Sequence, residues 1–151
     1  ANDLTNKNLV IIPTRSVPEG ISAAIAFNPD ASVEENTEAM NDAMKGVKSG
    51  SVTYAVRDTH VDGFDLAVGE IIGLDDKAIL AKGKLVSETT EKLVEKLITE
   101  DTMNITLFYG EDIREEEAVA LCEKLAQKYP DCEVTSAYGG QPVYYYLVSL
   151  E

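Results

Sequence analysis

The sequence has few of the residues on which metal and catalytic sites depend. Its 151 residues include one histidine, His60, and two cysteines, Cys122 and Cys132. A zinc site takes its ligands at characteristic spacings, and no such spacing surrounds His60. The neighbouring Asp58 and Asp62 do not match the calcium-loop spacing, so we interpret them as turn residues. We therefore expect no metal site in this chain.

The two cysteines do not form a disulfide framework. Cys122 falls within a predicted helix, about 10 Å of helical rise before the turn that precedes Cys132. A disulfide needs Cα atoms within about 7 Å of each other. Two reduced thiols are typical of a cytoplasmic protein, which is the location we predict.

Long apolar runs and nucleophile motifs are also missing. No apolar run in the sequence approaches the ~20 residues that span a bilayer. No glycine-rich phosphate loop is present, and no serine stands in the context of a nucleophile elbow. The sequence therefore predicts a folded domain without catalytic residues of its own.

Positive charge is scarce. Thirteen lysines and arginines stand against 27 aspartates and glutamates, which gives a formal net charge of -14. Nucleic acids and anionic membrane surfaces are bound by basic patches, so both are excluded as expected partners. A basic protein partner fits this charge, although solvated acidic helix faces are its ordinary explanation.

The sequence that is present alternates between strand and helix patterns. Three capping boxes, at residues 16–19, 32–35 and 112–115, predict helix starts, and Ser87 predicts a fourth. The predicted helices cover 16–27, 32–46, 87–100 and 112–129. The predicted strands cover 9–12, 52–57, 70–74, 78–81, 105–109, 132–137 and 143–150, with a turn at 49–51 and a polar loop at 58–63.

This order of elements predicts an α/β fold, with α+β as the alternative. Strand–helix–strand units favour parallel pairing, whereas the hairpin at residues 70–81 requires antiparallel pairing. We expect one domain with a mixed parallel and antiparallel sheet, about four packed helices and one β-hairpin. The last strand is apolar or aromatic on both faces, which places it at the centre of the sheet, and Gly139-Gly140 allows a sharp entry into it.

Five blocks of sequence together resemble one known family. They are VIIPTRSVPEGISAAIAFNPDAS (10–32), GSVTYAVRDTHVDG (50–63), GEIIGL (69–74), TLFYGED (106–112) and YGGQPVYYYLVSLE (138–151). In this order they are similar to the C-terminal region of bacterial dihydroxyacetone-kinase-like proteins, the ATP-binding subunit of fatty acid kinase. The resemblance covers almost the whole chain, which begins without methionine and is expected to be a fragment of a longer protein.

The resemblance implies a role in fatty-acid phosphorylation. In that family an N-terminal domain binds ATP and magnesium, so both are expected in the parent chain and no cofactor is expected here. The C-terminal region engages a fatty-acid-binding carrier protein of the DegV type. The kinase phosphorylates the carboxyl group of the bound fatty acid and so provides an acyl phosphate for phospholipid synthesis. No catalytic residue of the family transfers onto this chain.

Loops at predicted strand ends are the expected contact surfaces. Two further hypotheses remain: an acyl- or anion-binding module with Arg15 or Arg57 at the mouth of an apolar pocket, and a structural or homodimerisation domain. The candidate partner- or anion-binding residues are Arg15, Ser16, Arg57, Asp58, Thr59, Tyr109, Glu111, Tyr138 and Gln141.

Overall fold

Residues 7–151 are described by a computed structural model of the chain. The chain divides into an N-terminal unit, residues 1–47, and a C-terminal unit, residues 48–151. Each unit is considered by itself, and the expectation that they form one domain stays a prediction. None of the helices in the described part of the chain is long and apolar enough to cross a membrane.

The N-terminal unit contains two helices, α1 (Val17–Ile25) and α2 (Val33–Lys45). Both begin at the predicted capping boxes. The Ser16 hydroxyl accepts a hydrogen bond from the Glu19 amide at 3.3 Å, and the Ser32 hydroxyl accepts one from the Glu35 amide at 3.2 Å. In each box the glutamate carboxylate accepts from the serine amide in return, so these starts are confirmed.

The buried side chain of Asn36 fixes the loop between α1 and α2. Its carbonyl oxygen accepts a hydrogen bond from the Asn28 amide at 2.7 Å. Its amide group donates to the backbone carbonyls of Asn28, Ala31 and Ser32 at 2.8, 3.2 and 3.1 Å. A buried amide of this kind is stable because all of its polar atoms are satisfied locally.

The predicted strand at Leu9–Ile12 is wrong. This segment is not in a strand, and Ile11 is 76% exposed. An apolar run predicts a buried strand only where a neighbouring strand accepts its hydrogen bonds, and residues 7–15 have no such neighbour among the described strands. The apolar side chains therefore lie on the surface.

The C-terminal unit is a mixed sheet with two helices. Its elements are β1 (Lys48–Tyr54), β2 (Thr59–Val61), β3 (Phe64–Leu66), β4 (Ile71–Leu74), β5 (Ile79–Gly83), α3 (Val86–Leu97), β6 (Asn104–Tyr109), α4 (Glu115–Lys128), β7 (Glu133–Tyr138) and β8 (Tyr146–Leu150). Six strands form one sheet in the order β5-β4-β1-β8-β6-β7, and β2 and β3 form a separate hairpin. Of the described strand pairs, only β6 and β7 pair in parallel. The predicted α/β class and mixed sheet are confirmed.

The last strand lies inside the sheet, as predicted, but it is shorter than expected. β8 pairs antiparallel with β1 on one side and with β6 on the other. It begins at Tyr146 instead of Val143, because residues 142–144 turn away from the sheet. Tyr146, Val148 and Leu150 point into the core.

The helices α3 and α4 pack over the core side of this sheet. Leu93 and Val94 of α3 and Ala118 and Leu125 of α4 are fully buried there. Gly73 in β4 lets α3 approach closely, because a Cβ atom at this position would lie 3.0 Å from the Cβ of Leu93.

Both predicted starts of these helices are displaced. The residue preceding α3 is Leu85, not Ser87, and the residue preceding α4 is Arg114, not Asp112. Neither start has a side-chain cap hydrogen bond. The predicted turn at 49–51 is also wrong, since these residues lie within β1, and the predicted loop at 58–63 contains β2 and the tight turn into β3.

Cys122 and Cys132 are both free thiols, but their surroundings differ. Burial raises the pKa of the Cys122 thiol. Cys132 is half-buried, and its thiol donates a hydrogen bond to the Thr102 carbonyl at 3.2 Å.

We expect maleimide to label Cys132 about tenfold faster than Cys122 at neutral pH, because the thiolate is the reactive form and burial disfavours it. Mass spectrometry of the singly labelled protein measures the ratio. Cys132→Ser serves as the control, since it leaves only the slow site. Equal labelling of the two cysteines would contradict the burial of Cys122.

Candidate functional site: the strand-end surface

One end of the six-stranded sheet collects most of the predicted contact residues. Tyr109 pairs with Tyr138 of β7 and with Tyr146 of β8, and Val52 of β1 also pairs with Tyr146. The carboxyl ends of β1, β6 and β7 therefore lie at the same edge as the start of β8. Ligand and partner sites of open α/β sheets commonly lie at the carboxyl ends of strands.

We call this region the strand-end surface. It contains the predicted residues Tyr109, Glu111, Tyr138 and Gln141, and three residues that the sequence analysis did not select, Tyr54, Val143 and Tyr144.

The loop between β7 and β8 is tied to the end of β6. The amides of Gly139 and Gly140 both donate to the Tyr109 carbonyl, at 2.9 and 3.3 Å. The Gln141 side chain donates from Nε2 to the Phe108 carbonyl at 2.8 Å, and the Gln141 backbone carbonyl accepts from the Glu111 amide at 3.2 Å. The predicted residues Glu111 and Gln141 thus build the surface through hydrogen bonds with the backbone.

The same loop contains a strained turn at Val143. Its φ is 72°, and the Tyr144 amide donates to the Pro142 carbonyl at 2.8 Å, so the three residues form a γ-turn of the rare left-handed type. A β-branched residue resists this conformation. The Thr53 hydroxyl donates to the Val143 carbonyl at 2.8 Å and so helps to hold the turn. Strain of this kind is often found at binding sites.

Gly110 is required for the close approach of this loop. A Cβ atom at Gly110 would lie 2.3 Å from the Tyr144 carbonyl oxygen and 2.6 Å from that of Gln141. Its amide donates to the Tyr145 carbonyl at 2.9 Å. No larger residue fits here without moving the backbone of the loop.

Aromatic rings dominate what the strand-end surface presents to solvent. The Tyr109 and Tyr138 rings lie 5.4 Å apart, and the Tyr54 and Tyr145 rings lie 6.1 Å apart, both in tilted contact. Tyr138 is 68% exposed and Tyr144 is 41% exposed. Exposed tyrosines held on a rigid scaffold are enriched at protein–protein interfaces, because each offers a large apolar area together with a hydroxyl.

Acidic side chains surround these rings. The first turn of α4 carries Glu115, Glu116 and Glu117, and Glu111 is exposed nearby. Arg114 pairs with Glu117 at 2.6 Å and compensates one of them. Burial raises the pKa of the Tyr109 hydroxyl, and the acidic residues of α4 raise it further, so the phenol stays neutral. The surface suits a partner with basic groups.

The residues Arg57, Asp58 and Thr59 follow β1 and leave the sheet at this same end. Asp58 accepts a hydrogen bond from the Val68 amide at 2.7 Å, and Thr59 begins the β2–β3 hairpin opposite Leu66. These two residues therefore have structural positions. Arg57 is exposed and forms no ion pair within residues 7–151, so its guanidinium is available to a partner.

The remaining candidates, Arg15 and Ser16, belong to the N-terminal unit. The Ser16 hydroxyl is used in the capping box of α1, and the Arg15 amide donates to the same Glu19 carboxylate. Only the Arg15 side chain is left exposed there. The nine predicted residues thus do not form one cluster.

His60 has a partner but no set of metal ligands. Its Nδ1 lies 2.7 Å from Oδ1 of Asp65, and both side chains are largely exposed. No group of three or more histidine, cysteine or carboxylate side chains able to hold a metal ion occurs in residues 7–151.

The residues missed by the sequence analysis are concentrated where the last strand was expected to begin. The run Tyr144-Tyr145-Tyr146 has the pattern of a buried strand, which places Val143 and Tyr144 in the sheet. Pro142, which cannot donate a ladder hydrogen bond, is the available signal that the strand begins later.

The chain matches one protein family over its full length. The family is described as the FakA-like C-terminal region of fatty acid kinase, and the match covers residues 1–151. The chain belongs to this family. The expected family membership is therefore confirmed.

Curated relatives of this family member are much longer than the chain. Protein YloV of Bacillus subtilis is 40% identical over 151 residues, which is all of this chain and 27% of the relative. An uncharacterized protein of Staphylococcus haemolyticus shows the same identity and coverage, and one from Staphylococcus aureus is 38% identical over 152 residues, or 28% of its length. The chain thus spans about a quarter of these relatives, so activities of the whole proteins are not observations on this chain.

A solved structure shares the fold. The crystal structure of DegV, a fatty acid binding protein from Bacillus subtilis, matches with a TM-score of 0.52 and 21% identity. The match covers 88% of this chain and 55% of that chain. At this identity the similarity is evidence for the fold alone.

We expect Gly110→Ala to lower the free energy of unfolding by about 2 kcal/mol, because overpacking must displace the β7–β8 loop. Chemical denaturation monitored by tyrosine fluorescence gives this value. Gly20→Ala in α1 is the control, because its Cβ would lie 3.9 Å from the nearest atom of Thr14, an ordinary contact. Similar stability of both variants would show that the loop is not held as described.

Proposed function

We propose that this chain is the non-catalytic C-terminal module of a fatty-acid-kinase-like protein and that it docks a fatty-acid-binding carrier of the DegV type. The family membership supports a place in a fatty acid kinase. The strand-end surface supports docking, since it presents exposed tyrosines on a backbone that the loop hydrogen bonds hold in place. This aromatic surface is the observation that carries the proposal.

The chemistry itself is proposed to occur in another domain of the parent chain. There ATP, with magnesium, would phosphorylate the carboxylate of the fatty acid held by the carrier. Phosphoryl transfer depends mainly on positioning and electrostatic stabilisation. A docking module accelerates it by holding the carboxylate near the nucleotide, which makes the reaction effectively intramolecular. The acyl phosphate product would serve phospholipid synthesis.

The charges favour an encounter with a basic region of the carrier. The chain has a formal net charge of -14, and acidic residues of α4 border the strand-end surface. Opposite charges on two partners raise the association rate and orient the encounter. Arg57 would then pair with a carboxylate at the rim of the same interface.

A calorimetric titration of the chain with such a carrier, loaded with fatty acid and empty, tests the function directly. We expect a dissociation constant in the micromolar range or tighter, on the order of 1 μM. Tighter binding of the loaded carrier would show that the module reads the bound acid. Absence of binding by the folded chain would contradict the docking proposal.

We expect Tyr138→Ala and Tyr144→Ala each to weaken carrier binding about tenfold or more, since buried aromatic residues dominate interface energies. Met103→Ala is the matched control, because Met103 is similarly exposed but precedes β6 at the opposite end of the sheet. Unchanged binding in both tyrosine variants, or an equal loss in Met103→Ala, would remove the strand-end surface from the interface.

We expect Arg57→Ala and Arg15→Ala to weaken carrier binding severalfold without changing the melting temperature, because both side chains are exposed. The loss for Arg57 should shrink as salt is raised, since salt screens exposed charges. Lys77→Ala, at the turn beyond the far end of β4, is the control for removal of one positive charge. A dissociation constant equal to that of the wild type would exclude the arginine concerned.

A further inference from the structure

A groove lies between the amino-terminal halves of α3 and α4. Its volume is about 420 Å³, which is within the usual range for small-molecule sites. The start of α3 lies at the strand-end edge, because Gly83 of β5 pairs with Ile71 at the start of β4. We call it the helix groove; it is lined by Leu85, Val86, Ser87, Ile113, Glu117, Ala120, Leu121, Lys124 and Tyr146.

Tyr146 supplies a polar group without a partner in the helix groove. Only 2% of the residue remains exposed, yet its hydroxyl forms no hydrogen bond with any part of residues 7–151. The hydroxyl is not sealed in the core, because Tyr129 holds the one fully enclosed side-chain polar atom without a partner in that range. A buried hydroxyl costs free energy unless something binds it.

This hydroxyl can act only as a neutral donor or acceptor. Burial raises the pKa of Tyr146, and the neighbouring Cys122 and Glu117 raise it further. The phenol therefore keeps its proton throughout the physiological pH range. A ligand oxygen placed against it would accept a hydrogen bond.

The first turn of α3 supplies further donors on the wall of the same groove. Leu85 precedes the helix and provides no side-chain cap, and the first amide in this turn with a backbone partner is that of Thr89, which donates to the Leu85 carbonyl. The amides of Val86 and Ser87 have no intrahelical partner, because they belong to the first turn. In contrast, serine hydroxyls occupy the corresponding positions in α1 and α2.

The charged side chains at the groove are already paired. Lys124 lies 2.6 Å from Glu91, and Glu117 lies 2.6 Å from Arg114. The remaining walls are mostly apolar, with Leu85, Ile113 and Leu121 among the lining residues. An apolar body with one oxygen-bearing head therefore complements this groove better than a polyanion or a cation.

We propose that the helix groove binds a small amphipathic molecule whose carbonyl or carboxylate oxygen accepts hydrogen bonds from the Tyr146 hydroxyl and the first turn of α3. Its apolar body packs against the side chains on the facing walls of α3 and α4. This site requires no carrier protein, so its failure would leave the docking function standing.

Octanoate and methyl octanoate are suitable probes, because they share the apolar chain and a carbonyl oxygen but differ in charge. We expect saturable binding of at least one probe to the folded chain with a dissociation constant near or below about 1 mM. The amide signals of Val86 and Ser87 should shift in NMR spectra during the titration. Binding of octanoate alone identifies a carboxylate ligand, and binding of both identifies a neutral carbonyl.

Two variants locate the site. Tyr146→Phe removes only the hydroxyl, and we expect it to weaken probe binding about fivefold to tenfold while leaving the fold intact. Ala120→Phe fills the groove and should abolish binding, whereas Val119→Phe, an exposed neighbour on α4 outside the groove, should not. No saturable binding of either probe, or unchanged binding in both Tyr146→Phe and Ala120→Phe, would overturn the proposal.

Discussion

The pairing of β8 with both of its neighbours is the constraint on which the C-terminal unit depends. Val148 stands opposite Gly50 of β1 and opposite Leu107 of β6, so five residues of β8 join two parts of the sheet that are otherwise unconnected. The same registers bring Tyr109 to one edge of the sheet. A slip by one residue would turn the buried face of β8 to the other side and misalign every strand end.

The strand-end surface is a consequence of this register together with one close contact. The Gly110 amide donates to the Tyr145 carbonyl, and its missing side chain lets Gln141 and Tyr144 approach. The positive φ of Val143 is maintained because the surrounding hydrogen bonds leave the loop no relaxed alternative. Exposure of Tyr144 is thus enforced by the backbone, which reduces the entropy that a partner would have to overcome on binding.

Local signals in the sequence predicted local structure well, whereas long-range pairing was visible only in part. The capping boxes at Ser16 and Ser32 depend on residues three apart, and both are confirmed. The apolar run at Leu9–Ile12 gave a wrong strand because strand formation depends on a distant partner. In the candidate site, loop position was sufficient to select Tyr138 and Gln141. Tyr144 was missed because its strand-like pattern conceals the turn at Val143.

The segment from Gly110 to Ile113 borders both proposed sites and makes them physically adjacent. Gly110 supports the β7–β8 loop, and its carbonyl accepts a hydrogen bond from the amide of Ile113, whose side chain lines the helix groove. A carrier on the strand-end surface would therefore lie beside a ligand in the groove. Because the hydroxyl of Tyr146 is buried and those of Tyr138 and Tyr144 belong to exposed residues, substitutions in the two sites separate their contributions. Binding at either site can thus be altered without removing the strand pairs that hold both.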